Sequence, residues 1–232
     1  VITGDGDGLS IGGNHMIHSL RRNVDLQILL FNNEIYGLTK GQYSPTSRVG
    51  TRSPSTPQGS VDLPVSALAF ALGAGARFIA RSFDTAQKHL PEVLKRAHAH
   101  RGASLVEILQ NCIVYNDNAF EHITDRATAA ERQLFVEHGK PLLFAGGRKG
   151  LRLKPGTLAL ESVTLGEDGI TEADILRHDE TDRTLAGLLA ALDAPAFPVA
   201  FGVLYCAEPP TFEAAVARQG DEAHGKGPAD LA

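Results

Sequence analysis

Along the first half of the chain, apolar runs alternate with stretches of helical spacing. Val1 to Thr3 read as the closing step of a strand that runs straight into Gly4-Asp5-Gly6. From Ser10 to Arg22 the apolar positions Ile11, Met16, Ile17 and Leu20 fall on one side of a helix. Leu26-Gln27-Ile28-Leu29-Leu30-Phe31 is almost continuously apolar, the pattern of a strand covered on both faces of a parallel sheet. Residues 37–60, dense in Gly, Ser, Thr and Pro, predict a loop. Val65 to Leu72 predicts a helix stopped by Gly73 and Gly75, and Phe78-Ile79-Ala80 a short strand. Asp84 is an N-cap candidate for a further helix, bent at Pro91 and ended before Gly102. Ser104 to Leu109 is the next strand. This β-α-β-α-β order predicts an α/β fold, a mostly parallel sheet with helices on both faces.

Beyond about residue 116 the pattern weakens. Residues 127–138 have helical spacing, and short strand-like runs lie around Leu142, Leu158 and Val163 between Gly and Pro. Thr184 to Leu192 predicts a helix and Phe197 to Tyr205 a strand. The polar stretch Gln219 to Ala232 predicts a frayed tail. The chain thus divides into a core, 1–115, and an irregular C-terminal appendage, 116–232, on the same domain.

Composition narrows the class of function. Of 232 residues 43% are hydrophobic and 21% charged, with a net charge of −5. No basic excess points to nucleic acid or an anionic membrane as partner. No apolar run approaches the ~18 residues that span a bilayer. Cys112 and Cys206 are the two cysteines, so no disulfide scaffold is implied and the composition reads as cytoplasmic. The chain opens without Met and without a basic, signal-like segment. A strand that begins at its own end reads as a piece of something longer, or as a short edge strand at a natural terminus.

The informative chemistry lies in residues 3–47. Successive strands of a parallel sheet end on one edge, so Asp5 after the first strand and Asn33 after the second converge where open sheets bind ligands. A carboxylate oxygen of Asp5, an amide oxygen of Asn33 and the backbone carbonyl of Ile35 are hard ligands suited to Mg2+ and a diphosphate. Gly4 and Gly6 let the backbone approach phosphate, and the next helix turns its N-terminus to the anion. Gly-Asp-Gly alone is an ordinary turn, and here it overlaps itself at 6–8. The succession strand, Gly-Asp-Gly, helix, strand, Asn32-Asn33, with residues 7 to 31 between the two motifs, resembles the pyrophosphate-binding domain of thiamine diphosphate (ThDP) enzymes.

Two longer segments narrow the likeness. Gly4-Asp5-Gly6-Asp7-Gly8-Leu9-Ser10-Ile11-Gly12-Gly13-Asn14-His15 and Glu34-Ile35-Tyr36-Gly37-Leu38-Thr39-Lys40-Gly41-Gln42-Tyr43-Ser44-Pro45-Thr46-Ser47 are similar to the β subunit of 2-oxoacid:ferredoxin oxidoreductases, nearest to the 2-oxoglutarate type. The similarity continues more loosely to Cys112 and again from Pro198 to Pro210. It implies a ThDP-binding fold in which Asp5, Asn33 and the Ile35 carbonyl hold Mg2+. It also implies that Gly4, Asp5, Gly6, Asp7, Asn33, Ile35, Tyr36, Gly37, Leu38 and Thr39 line the cofactor. Leu38 and Lys40 stand where pyruvate-type relatives typically carry Asn and Gly. Lys40 is therefore placed to meet the distal carboxylate of a dicarboxylic 2-oxoacid, or is a solvated loop lysine, and Leu38 is a substrate contact or simple packing. Residues 35–61 hold Lys40, Arg48 and Arg52 and no Asp or Glu. That local charge attracts substrate carboxylates or the phosphates of coenzyme A, or is incidental.

By the same resemblance Cys112 is one thiolate of a 4Fe–4S cluster. A cubane takes four, and the family's other three lie upstream of Gly-Asp-Gly, outside this sequence. The plain alternative is a buried free thiol. Cys206 has no family role. His15 and His18 sit beside the cofactor edge, facing substrate or a neighbouring carbonyl or subunit. His98 and His100 point to different helix faces and are no metal pair. The implied reaction is oxidative decarboxylation of 2-oxoglutarate, or a related 2-oxoacid, to acyl-CoA with reduction of ferredoxin. Its implied partners are an α subunit, which supplies the Glu that activates the cofactor, ferredoxin, coenzyme A and the 2-oxoacid. No catalytic residue is therefore assigned within this chain. Two other readings stand beside it: a ThDP lyase or synthase of the acetolactate-synthase kind without a cluster, and an inactive piece that only holds its partner.

Overall fold

The apolar runs pair into one sheet in a computed structural model that describes residues 1–225. In chain order the elements are β1 (Ile2–Gly4), α1 (Asp5–Leu9), α2 (Gly13–Arg22), β2 (Gln27–Asn32), α3 (Ala67–Gly73), β3 (Phe78–Phe83), α4 (His89–Ala99) and β4 (Ser104–Leu109). They continue as α5 (Glu121–Thr124), α6 (Ala129–Arg132), β5 (Gln133–Phe135), β6 (Leu143–Phe144), β7 (Lys149–Leu153), β8 (Leu160–Thr164), α7 (Arg183–Ala190), β9 (Val199–Cys206) and α8 (Phe212–Gly225). The main sheet runs β1-β2-β4-β3-β9-β5, and β6-β7-β8 form a small second sheet. β1, β2, β4 and β3 are mutually parallel, while β9 runs antiparallel to β3.

Alternation along each strand divides the core in two. Ile28, Leu30, Ile79 and Leu105 meet Met16 and Leu20 of α2, Leu68 and Leu72 of α3, and Leu185 and Leu189 of α7. Leu29, Phe31, Phe78, Val106 and Ile108 face the other way, onto Val93 and Ala97 of α4. Helices thus cover both faces, as the near-continuous apolar strands required. Full burial of each large aliphatic or aromatic side chain contributes about 1.5–3 kcal/mol. Ser66 caps α3 by accepting the Ala69 N–H at 3.3 Å. Among the described residues no helix is long and apolar enough to cross a membrane.

Several local expectations are corrected. The helix read from Ser10 to Arg22 starts three residues late. α1 begins at once on Asp5, the chain turns at Ser10–Gly12, and α2 starts at Gly13. The turn needs glycine at position 12, where a Cβ would sit 2.7 Å from the Asp7 carbonyl. Ile11 is therefore exposed, outside the apolar stripe. Asp84 does not cap α4; its N–H bonds the Leu109 carbonyl at 3.0 Å, tying the end of β3 to β4, and the helix waits until His89. The helix read over 127–138 shrinks to α6, because Gln133 to Phe135 pair with β9 and bury Leu134. Leu158 is exposed just before β8. The segment beyond 116 is not merely peripheral, since it supplies β9 and β5 to the main sheet. The tail read as frayed from Gln219 stays helical to Gly225; residues 226–232 lie outside the described residues.

Candidate functional site

β1 and β2 end side by side, with Gly4 opposite Phe31. Asp5 leaves β1 as the first residue of α1 and is only 1% exposed. One carboxylate oxygen, Oδ2, accepts hydroxyl hydrogen bonds from Ser44 at 2.5 Å and Thr46 at 2.6 Å. The other, Oδ1, faces the Asn33 N–H at 3.4 Å. Burial pushes the Asp5 carboxyl above the usual carboxylate range, and the two hydroxyls oppose that rise.

The turn after β2 is built by its own asparagines. Asn32 Oδ1 accepts the Glu34 N–H at 3.2 Å, and Asn33 Oδ1 accepts the Ile35 N–H at 3.3 Å. These are successive Asx turns, and they hold Glu34 at φ 56°. Asn116 clamps the turn from outside, its Nδ2 donating to the Asn33 carbonyl at 2.9 Å. No donor among the described residues reaches the carbonyl of the buried Ile35. The Asp5 carboxylate at the start of α1 thus lies beside a turn that carries an amide oxygen and a free carbonyl. This all-oxygen set fits Mg2+, which favours such hard donors. Among the described residues no group of three or more His, Cys, Asp or Glu gathers to offer a different centre.

The remaining expected residues divide by exposure. Tyr36 lies across α1 and donates its hydroxyl to the Gly6 carbonyl at 3.1 Å; any Cβ on Gly6 would collide with its ring. The Tyr36 N–H bonds the Gln42 carbonyl at 2.9 Å and closes the 36–42 loop. At its tip Leu38 is 99% exposed, and Thr39 and Lys40 are exposed with it. Asp7 is exposed on α1, away from buried Asp5. Cys112 sits beside this loop, its sulfur 3.9 Å from where a Cβ on Gly37 would be. Cys206 is remote: it pairs with Phe78 at the start of β3, whereas Cys112 follows the end of β4. His15 and His18 are exposed, and His98 is exposed where His100 is buried.

A buried polar network behind the site was missed from sequence. Asn32 Nδ2 donates to Glu107 Oε1 at 2.8 Å, and Arg81 Nε donates to Glu107 Oε2 at 2.7 Å. Thr46 Oγ1 lies 2.9 Å from Asn32 Oδ1, and Ser47 donates to the Glu34 carbonyl at 2.5 Å. Burial pushes the Glu34 carboxyl up to about 7; Arg48 opposes the rise, and Asp5, Asp193 and Glu107 add to it. Glu34, Thr46, Arg48, Arg81 and Glu107 line one side of a cavity of about 360 Å3. A charge inside an otherwise apolar strand, Glu107 or Arg81, was the available signal. The hydroxyls of 44–47 carried none.

The geometry can be set beside known proteins. Residues 1–108, which contain the Asp5 and Asn33 turns, match the family described as thiamine pyrophosphate enzyme, C-terminal TPP binding domain. Over 204 residues the chain is 48% identical to 2-oxoglutarate oxidoreductase subunit KorB of Mycobacterium tuberculosis, covering 88% of this chain and 51% of the relative. The chain is homologous over most of its length to the β subunits of 2-oxoacid:ferredoxin oxidoreductases. The 2-oxoacid:ferredoxin oxidoreductase subunit beta of Saccharolobus solfataricus is 43% identical over 114 residues, 49% of this chain and 37% of that one. Among solved structures, 2-oxoglutarate:ferredoxin oxidoreductase from Magnetococcus marinus, with 2-oxoglutarate, coenzyme A and succinyl-CoA bound, is similar with a TM-score of 0.70 and 30% identity. That match covers 98% of this chain and 62% of the other. The chain spans about half the length of its M. tuberculosis relative.

Proposed function

We propose that this chain holds Mg2+ and ThDP as part of the β subunit of a 2-oxoacid:ferredoxin oxidoreductase. Its substrate is 2-oxoglutarate or a related 2-oxoacid, converted with coenzyme A to acyl-CoA, CO2 and reduced ferredoxin. The observation that carries this reading is the meeting of buried Asp5 with the Asn33–Ile35 turn, inside the segment that matches a ThDP-binding domain. The bound substrate and coenzyme A of the M. marinus structure and the names of the β-subunit relatives support the substrate class.

When bound, ThDP supplies the electron sink that decarboxylation requires. The chain's own residues bind and orient. Asp5, Asn33 and the Ile35 carbonyl hold the cation, which neutralises the diphosphate. Gly4 and Gly6 keep the backbone bare beside it, and Tyr36 fixes the loop over α1. Leu38, Thr39 and Lys40 are presented from an exposed tip to the α subunit and the substrate, with Lys40 the cation for a distal carboxylate. Asp7 and Gly37 complete the cofactor-facing stretch. Cys112 offers one thiolate beside this loop, but the described residues do not complete a 4Fe–4S site, so no electron step is assigned to them. The two free thiols fit a reducing, cytoplasmic setting. Residues 1–115 form the binding core, and the remainder braces it through β9 and β5.

Asp5→Ala and Asn33→Ala test the site by titration calorimetry of ThDP with Mg2+. Both should abolish Mg2+-dependent ThDP binding while leaving the circular dichroism spectrum intact. Unchanged ThDP affinity in Asp5→Ala would overturn the assignment.

A further inference from the structure

Asp5 presents its two oxygens to very different surroundings. Oδ2 takes two short hydroxyl bonds, from Ser44 at 2.5 Å and Thr46 at 2.6 Å, which occupy both of its lone-pair directions. Oδ1 has only the 3.4 Å approach of the Asn33 N–H. We infer that Ser44 and Thr46 are positioning residues for Asp5, saturating one carboxylate oxygen so that the other alone is left for a divalent cation. This inference rests on the reading of Asp5 as a cation ligand and adds to it which oxygen binds and what fixes it.

The hydroxyl protons can be placed consistently. Thr46 Oγ1 has one proton and two acceptors, Asp5 Oδ2 at 2.6 Å and Asn32 Oδ1 at 2.9 Å. The ionised carboxylate is the stronger acceptor, and Asn32 Oδ1 already holds the Glu34 N–H. Ser47 spends its proton on the Glu34 carbonyl at 2.5 Å and accepts the Ser44 N–H at 2.7 Å. That leaves the Ser44 proton for Asp5, with Thr46 at 3.2 Å and Ser47 at 3.2 Å as the poorer alternatives. The 44–47 loop therefore grips both halves of the site at once: Asp5 through Ser44 and Thr46, and the Asn33–Ile35 turn through Ser47. Asp5, Ser44 and Thr46 are 1%, 2% and 4% exposed, so water does not compete for these bonds.

A loop fastener and a ligand-positioning pair predict different measurements. The assembled enzyme with ThDP is titrated with Mn2+, and free Mn2+ is counted by electron paramagnetic resonance. Thr46→Val keeps the shape and removes the hydroxyl; Ser44→Ala does the same at the other bond. Each should weaken Mn2+ binding by about 10–100-fold, the usual effect of losing a group that orients a ligand. Thr46→Ser, which keeps the hydroxyl, should restore wild-type affinity. Melting of the cation-free protein is recorded in parallel. If both hydroxyl-deleted variants lower that melting temperature yet bind Mn2+ as the wild type does, the hydroxyls only fasten the loop and the inference fails. Asp5→Ala separates the two readings. If it abolishes Mn2+ binding while the hydroxyl variants do not, only the positioning role falls; if it binds Mn2+ normally, both fall.

Discussion

Glu107 is the most heavily committed side chain behind the site, and removing it should be costly. It stands opposite Arg81 in the parallel pairing of β4 and β3. Arg81 Nε lies 2.7 Å from Glu107 Oε2, with the two side chains 9% and 3% exposed. The second oxygen takes the Asn32 amide at 2.8 Å. Glu107→Leu would leave a buried guanidinium without its counter-charge and a buried amide without its acceptor. Breaking a buried ion pair from one side costs about 3–5 kcal/mol, against a total stability of ~5–15 kcal/mol for a folded domain. In a chain of this size the melting midpoint should fall by roughly 6–20 °C. Arg81→Met should cost about as much, from the opposite sign. The double variant Arg81→Met/Glu107→Leu removes both charges, and apolar replacement of a buried pair is neutral or stabilising by ~1–4 kcal/mol. It should recover most of the loss, short of the ~1–3 kcal/mol for the orphaned Asn32 amide. The chain has no tryptophan, so urea unfolding at pH 7 is followed by circular dichroism. A double variant as unstable as the sum of the two singles, or a Glu107→Leu cost under about 1 kcal/mol, would refute the reasoning.

Two further outcomes follow. His178 is buried, its Nε2–H donating to the Val203 carbonyl at 2.8 Å, and burial holds its pKa below the ordinary histidine value. Its stabilisation is whole above about pH 6.5 and is lost as pH falls below it; His178→Gln should lose less stability than wild type between pH 7.5 and 5.5, and an equal loss would exclude the histidine as the cause. Lys40 stands on the exposed loop tip. Lys40→Ala should lower kcat/KM for 2-oxoglutarate roughly tenfold or more while sparing pyruvate in the assembled enzyme, and equal effects on both would remove its role.

Three strands of the parallel half of the sheet, β2, β3 and β4, were legible because they are six residues long and covered on both faces. Such strands read as continuous apolar runs whatever surrounds them. The C-terminal half offers strands of two, three and five residues, too short for a period of two to register. β9 is different: its apolar run was plain, yet nothing in the run said that it would lie antiparallel against β3. Strand pairing depends on which edge is open, and that edge is made by β3 and β4 together. The helix read from Ser10 begins only at Gly13 for a local reason: the Gly12 N–H bonds the Asp7 carbonyl at 2.7 Å, closing a turn off α1 that leaves Ile11 exposed.

Within the site the same contrast holds between residues that must be satisfied and residues that need not be. Asp5 and Asn33 could be brought together from sequence because parallel strands carry their ends to one edge, which converts chain spacing into proximity. Glu107 and Arg81 were readable in principle, since a charge at an inward position of an apolar strand is tolerated only with a partner. Ser44 and Thr46 were not. A hydroxyl costs little to leave in water, so Ser and Thr fill loops by default, and the 37–60 segment is full of them. Only the fold, by burying two of those hydroxyls against the Asp5 carboxylate, separates that pair from the other Ser and Thr of the loop.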